Sequence, residues 1–206
     1  REGTRRARRQ EVRQVSLPTR PFKRLNPPPG NEPLKVLDKP LRVFITGASS
    51  GLGAALARHY GATGARLGLV GRRLDGLQDA AAGLDARLYL ADVRDAAAMQ
   101  HAAAAFVREV GVPDIVIAAA GISVGTLTEI ADDAAVFRAV MDANVLGLVH
   151  TFQPFIAAMS PGGVLCGISS VAGVRGLPGG SAYSASKAAA TADREAPRLE
   201  SKARDI

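Results

Sequence analysis

From Leu41 onward, short apolar runs alternate with longer Ala-rich segments whose apolar residues recur at helical spacing. That alternation predicts βα units and an α/β fold built on a parallel sheet. The runs place strands at Arg42–Thr46, Arg66–Val70, Arg87–Ala91, Ile115–Ala119 and Val164–Ile168. Helices fall at Leu52–Ala62, Leu74–Gly83, Ala96–Val110, Ala131–Met141 and Ala143–Met159. After Ala190 the chain reads TADREAPRLESKARDI, in which the helical apolar stripe fades, Pro197 interrupts it and no strand-like run follows.

Residues 1–40 break the pattern. They carry seven of the twelve prolines, including Pro27, Pro28 and Pro29 in a row, and predict a disordered extension. The charge lies there as well: eleven Lys or Arg stand against four Asp or Glu in residues 1–40, and fifteen of each in residues 41–206. The net charge of +7 therefore belongs to the extension, and a nucleic-acid role is confined to a basic arm. An anionic membrane or a targeting function are other readings of that arm; a solvated extension outside the working fold is the expectation. At 206 residues and 47% hydrophobic, the chain can bury one substantial core in one domain, at 41–206. Cys166 stands alone, which leaves no intrachain disulfide framework and fits a strand position in a reducing compartment. His59, His101 and His150 show no metal-ligand spacing, so no metal is expected. No apolar run approaches the roughly eighteen residues of a membrane span, and a soluble, cytoplasmic protein follows as the expectation.

The first strand runs into Thr46-Gly47-Ala48-Ser49-Ser50-Gly51-Leu52-Gly53 and then a helix. Glycines at such a turn let the backbone approach a pyrophosphate, which the free N–H groups and dipole of the helix start attract. A turn that only packs helix on sheet would look the same. The second strand ends Val70-Gly71-Arg72-Arg73, with Gly71 where an NAD-binding chain offers an acid to the ribose. The two arginines suit the 2′-phosphate of NADP(H), or form a solvated turn. Asp92, after the third strand, can accept from an adenine amino group or cap the next helix. Ala119-Ala120-Gly121 makes a small-residue turn against which a cofactor could lie. Asn144 interrupts the apolar stretch DANVLGLVH; its amide needs partners, either as a structural bridge or in a water and proton relay.

The stretch Ile168–Lys187, ISSVAGVRGLPGGSAYSASK, holds Ser170 thirteen residues before Tyr183 and Lys187 four residues after it. On a helix Tyr183 and Lys187 share a face one turn apart. A free phenol titrates near ~10, and a fixed cation beside it stabilises phenolate, which would make a proton-transfer device. A surface loop followed by an ordinary helix start is the competing reading.

Taken in order, these residues resemble the short-chain dehydrogenases/reductases over about residues 41–190: TGASSGLG at 46–53 as the cofactor turn, Asp92, Asn144, Ser170, and Tyr183-Ser184-Ala185-Ser186-Lys187 as the YxASK motif. The resemblance implies a Rossmann-type doubly wound parallel sheet, a nicotinamide cofactor and reversible oxidation of an alcohol to a ketone or aldehyde. NADP(H) is expected over NAD(H) because of Arg72 and Arg73. The implied cofactor contacts are Gly47, Ser49, Ser50, Gly51, Leu52, Gly53, Arg72, Arg73, Asp92, Val93, Ala119, Ala120, Gly121, Tyr183 and Lys187. Tyr183 would pass the proton and Ser170 would hydrogen-bond the substrate oxygen. Lys187 would favour phenolate and hold the nicotinamide ribose, and Asn144 would hold a water behind Lys187. Homodimers or homotetramers through the helices starting at Ala143 and Tyr183 are implied too.

Two positions depart from the family. Its Asn-Ala-Gly turn appears as Ala119-Ala120-Gly121, and the strands that follow YxASK in the family have no counterpart in the remaining sequence. The expectation is a Rossmann catalytic domain at 41–206 lacking its last two strands, with an inactive nucleotide-binding module as the alternative.

Overall fold

The computed structural model describes residues 39–200, so the expected extension at 1–40 lies outside the described residues except for Lys39 and Pro40. Five strands form one sheet: β1 Arg42–Thr46, β2 Arg66–Gly71, β3 Ala86–Leu90, β4 Ile115–Ala118 and β5 Val164–Gly167. All pairs are parallel, in the order β3-β2-β1-β4-β5. The helices are α1 Gly51–Ala62, α2 Leu74–Ala81, α3 Ala96–Glu109, α4 Asp133–Met141, α5 Gly147–Ile156 and α6 Ser181–Glu200.

The central strand shows why the apolar runs are continuous rather than alternating. Val43 and Ile45 of β1 pack with Leu67, Leu69 and Leu77 against α1 and α2, while Phe44 packs on the other face against α3 and α5. Both faces are covered, so Val43, Phe44 and Ile45 in the middle of the strand are apolar without alternation. Phe44 meets Phe106 of α3 and Phe155 of α5 with ring centroids 5.3 and 4.9 Å apart, both close to edge-on. Gly68 of β2 makes room for this cluster, since a Cβ there would stand 2.5 Å from the Phe106 ring.

The chain leaves β1 towards β2 on one side, and β4 pairs on the other, so the loops that follow β1 and β4 diverge. In a parallel sheet that divergence opens a crevice at the carboxyl ends of the strands. At the opposite ends, β1 and β4 are clamped. Arg42 Nη2 and Nε donate to the Asp114 carboxylate at 2.7 and 3.0 Å, and the Arg42 backbone N–H donates to it at 2.9 Å.

Two helical expectations are corrected. The helix placed at Ala143–Met159 has no free start: a π-helical turn at Asp142–Leu146 joins α4 to α5 without a break. No Gly or Pro stands at the junction to end α4, and the extra residue of the π-turn changes which side chains face inward. The helix after Tyr183 does not fail beyond Ala190; its backbone continues past Pro197 to Glu200. Proline there removes one N–H donor, and the Arg, Glu, Ala and Leu around it in the sequence favour helix strongly enough to carry the backbone through. Among the described residues no helix is long and apolar enough to cross a membrane.

Burial pushes the Asp114 carboxyl up, but the Arg42 hydrogen bonds outweigh it and hold the group below the usual carboxylate range. A depressed folded value means the pair stabilises the fold above the unfolded value near ~3.9 and loses that effect as pH falls through the folded one. Asp114→Asn is expected to cost about 1–3 kcal/mol at pH 7 in a denaturant melt, with the gap to the parent closing as pH falls below the carboxylate range. A constant gap down to the lowest pH would rule out the ion pair as its source.

Candidate active site

The turn after β1 is held by close backbone approaches. Gly47 has φ +69°, and a Cβ on it would stand 2.7 Å from the Ala120 backbone. A Cβ on Gly53 would stand 2.3 Å from the Gly47 carbonyl oxygen. The glycines thus seat the turn directly on the loop that follows β4. Ser50 stands extended before α1, its side chain makes no capping hydrogen bond, and the first turn holds no acid. The first N–H groups of α1 are therefore left to whatever lies in front of them, with the positive end of the helix dipole behind.

In front of them is a cleft of about 490 Å³. It brings together Gly47, Ser49, Ser50, Gly51, Leu52, Gly53, Arg72, Arg73, Asp92, Val93, Ala119, Ala120 and Gly121, the residues the sequence nominates for a cofactor apart from Tyr183 and Lys187. It is open where a ligand would need space, since a Cβ on Gly51 would meet nothing within 4 Å. The cleft also takes in Arg94, Ile122 and Ala143, which sequence reasoning passes over.

Asp92 does not cap the helix that follows it. Asp95 does, accepting from the Ala98 backbone N–H at 3.0 Å. The Asp92 carboxylate instead accepts from Arg94 Nη2 at 2.6 Å, and the Arg94 hydrogen bonds hold it below the usual carboxylate range. Neither the spacing nor the composition of DVRD announces this pairing.

On the other side of the cleft, α6 carries Tyr183 and Lys187. The Lys187 Nζ donates to the Ile168 carbonyl at 2.7 Å and lies 5.7 Å from the centre of the Tyr183 ring. Lys187 is 7% exposed, and burial lowers its pKa. Ser170 precedes a short 3-10 turn, Val171–Gly173, and its Oγ accepts from the Ala172 N–H at 3.1 Å. That turn rests on α6, because a Cβ on Gly173 would stand 2.7 Å from the Lys187 carbonyl carbon. Asn144, buried within the π-turn, bonds Ile122 in both directions: Oδ1 accepts from the Ile122 N–H at 2.7 Å and Nδ2 donates to its carbonyl at 2.9 Å. Nδ2 also donates to Ser186 Oγ at 2.9 Å, and Ser186 donates to the Tyr183 carbonyl at 2.7 Å. Asn144 thus acts as a bridge between the β4 loop and α6.

Gly121 is the joint between the two halves. It lines the cleft, and a Cβ on it would stand 3.1 Å from Asn144 Oδ1 and 3.8 Å from Lys187 Nζ. A second tie, invisible in the sequence, comes from Thr126. Its buried hydroxyl accepts from the Ala182 N–H at 3.2 Å and lies 2.9 Å from Ser181 Oγ, so a residue far away in the chain caps the helix that carries Tyr183.

The geometry has counterparts among known proteins. The family model for short chain dehydrogenases matches residues 42–206. The chain is 38% identical over 164 residues to an uncharacterized oxidoreductase of Myxococcus xanthus, covering 76% of this chain and 64% of that protein. It therefore spans under two thirds of the length of that curated relative. A crystal structure of a dehydrogenase/reductase from Sinorhizobium meliloti is similar with a TM-score of 0.74 at 30% identity, over 81% of this chain and 68% of that one. An actinorhodin polyketide ketoreductase solved with NADPH is similar with a TM-score of 0.74 at 28% identity, over 81% and 67%. A parallel sheet in this order, a glycine turn seated on the β4 loop and a match across four fifths of the sequence lead to one conclusion: the chain belongs to the short-chain dehydrogenase family of oxidoreductases.

Proposed function

We propose that this chain carries the cofactor-binding and proton-transfer parts of an NADP(H)-linked enzyme that interconverts a small ketone or aldehyde and its alcohol. The observation that carries the proposal is the buried Lys187 ammonium, one helical turn from Tyr183 and adjoining the cleft through Gly121. Among the described residues no acid pairs with Lys187, so this buried cation is kept in place for a reason other than an ion pair.

The residues fit a dinucleotide. The uncapped start of α1 suits its pyrophosphate, and the glycine cradle leaves the backbone exposed to it. Arg72 and Arg73 suit a 2′-phosphate, and the ketoreductase solved with NADPH supports that choice by similarity. When bound, the nicotinamide supplies the hydride that reaches the carbonyl carbon. Tyr183 Oη gives its proton to the carbonyl oxygen, and the Ser170 hydroxyl donates a hydrogen bond to that oxygen as its charge grows. Lys187 stabilises the phenolate that remains and holds the ribose hydroxyls. Asn144 positions α6 through Ser186 and fixes the backbone of Ile122, which lines the cleft. Phe137 of α4 and Leu146 of the π-turn are partly exposed, which supports pairing of two copies through this side of the molecule.

Tyr183→Phe is expected to lower kcat by roughly 10²–10⁴-fold on any ketone that is turned over, with a far smaller effect on NADPH affinity. Equal turnover by the variant would remove Tyr183 from the chemistry. Arg72→Ala combined with Arg73→Ala should weaken NADPH by about tenfold or more and leave NADH nearly unaffected, measured by fluorescence titration. Equal losses for both nucleotides would count against a 2′-phosphate site.

A further inference from the structure

The helix that carries Tyr183 starts without a cap of its own. The Gly180 carbonyl accepts the first hydrogen bond of α6, from the Ser184 N–H at 2.8 Å, so Gly180 stands at the capping position, where it has no side chain to offer. The first turn holds no acid either. The oxygen that a capping Ser or Thr would bring comes instead from Thr126, whose Oγ1 accepts from the Ala182 N–H at 3.2 Å and lies 2.9 Å from Ser181 Oγ. Thr126 also holds the chain just ahead of the helix, since its own N–H donates to the Gly179 carbonyl at 2.9 Å.

The loop that presents this hydroxyl is pinned on both sides. Asn144 holds Ile122 before it, and the buried Asp133 carboxylate accepts from the Leu127 N–H at 2.8 Å after it. Thr126 is 3% exposed, so little water competes for its oxygen. The position of Tyr183 gives the cap its importance. Tyr183 is the third residue of α6, inside the turn that frays when a cap is lost. Among the described residues, the other side-chain ties from α6 to neighbouring segments begin at Ser184, which accepts from the Leu177 N–H, and continue through Ser186, Lys187 and Thr191. Loosening the first turn would therefore move the Tyr183 ring while Lys187 stayed bonded to Ile168.

We infer that Thr126 is a positioning residue for the proton transfer: its hydroxyl caps α6 from the loop after β4 and so fixes the Tyr183 phenol relative to Lys187. The inference rests on the reading of Tyr183 as the proton donor and adds to it a residue that acts through the helix. Gly180 supplies the means to test it. Its φ is not positive, and a Cβ there would stand 3.5 Å from Leu177, an ordinary contact, so Gly180→Ser can place a capping hydroxyl at the helix's own start.

The test is NMR of the full chain with ¹³C-labelled tyrosine, which gives three ring signals, from Tyr60, Tyr89 and Tyr183, the last assigned by its loss in Tyr183→Phe. Thr126→Val keeps the shape and removes the hydroxyl. It is expected to shift or broaden the Tyr183 signal alone and to speed amide exchange at Ala182 about two- to thirtyfold. Thr126→Ser keeps the parent signal, and Gly180→Ser restores it in the Thr126→Val background, including where Thr126→Val alone does not fold. On any ketone the parent turns over, Thr126→Val lowers kcat about tenfold or more with KM little changed, and Gly180→Ser recovers it. A Tyr183 signal that Thr126→Val leaves unmoved, or that Gly180→Ser leaves displaced, overturns the inference and spares the proton-transfer reading. So does a Thr126→Val chain that fails to fold with and without Gly180→Ser, since Thr126 then serves the fold as a whole. Turnover that Tyr183→Phe leaves unchanged overturns the proton-transfer reading, and this inference with it.

Discussion

Removing an ammonium from water is unfavourable unless its donors find partners, and the Lys187 Nζ is removed from water. Its hydrogen bond to the Ile168 carbonyl ties α6 to the chain just past β5. The surrounding elements converge on this point. The 3-10 turn that starts at Ser170 lies against the Lys187 backbone, and Ser169 Oγ lies 2.6 Å from Thr191 Oγ1 a turn further along α6. Asn144 holds the opposite side through Ser186, and Thr126 caps the start of the helix. Loops from three parts of the sequence therefore fix one helix, the one that carries Tyr183.

Glycine plays the complementary part on the cofactor side. At Gly47 and Gly53 a methyl group would collide with backbone, which cannot move aside as a flexible side chain could. The turn is thereby pressed onto Ala119 and Ala120, and the cleft takes its floor from that contact. The family's asparagine is replaced by Ala119 at this point, yet the loop is still held, because Asn144 bonds the neighbouring Ile122 in both directions.

Much of this was legible in the sequence because both faces of the sheet are covered. Strands such as RVFIT and IVIA carry an unbroken apolar run, and their limits fall within a residue or so of the predicted ones. The cofactor turn was legible because glycine at a strand-to-helix junction has a steric cause. What escaped depends on geometry that spacing does not encode. Arg94 on Asp92, Asp95 rather than Asp92 as the cap, and Thr126 capping a distant helix all require the folded path of the chain. The π-turn escaped because Asp142 carries no breaking signal, and Pro197 misled because a proline removes one helical hydrogen bond without necessarily ending the helix.

The central claim is that Lys187 is a buried cation held beside Tyr183. The chain has only five lysines, at 23, 35, 39, 187 and 202, so the Nζ or Cε resonance of Lys187 can be followed singly in an NMR pH titration and assigned by its loss in Lys187→Arg. Burial lowers the Lys187 pKa, so its midpoint is predicted to fall below the ordinary lysine value of ~10.4. A Lys187 resonance that titrates at or above the ordinary lysine value of ~10.4 would contradict the account.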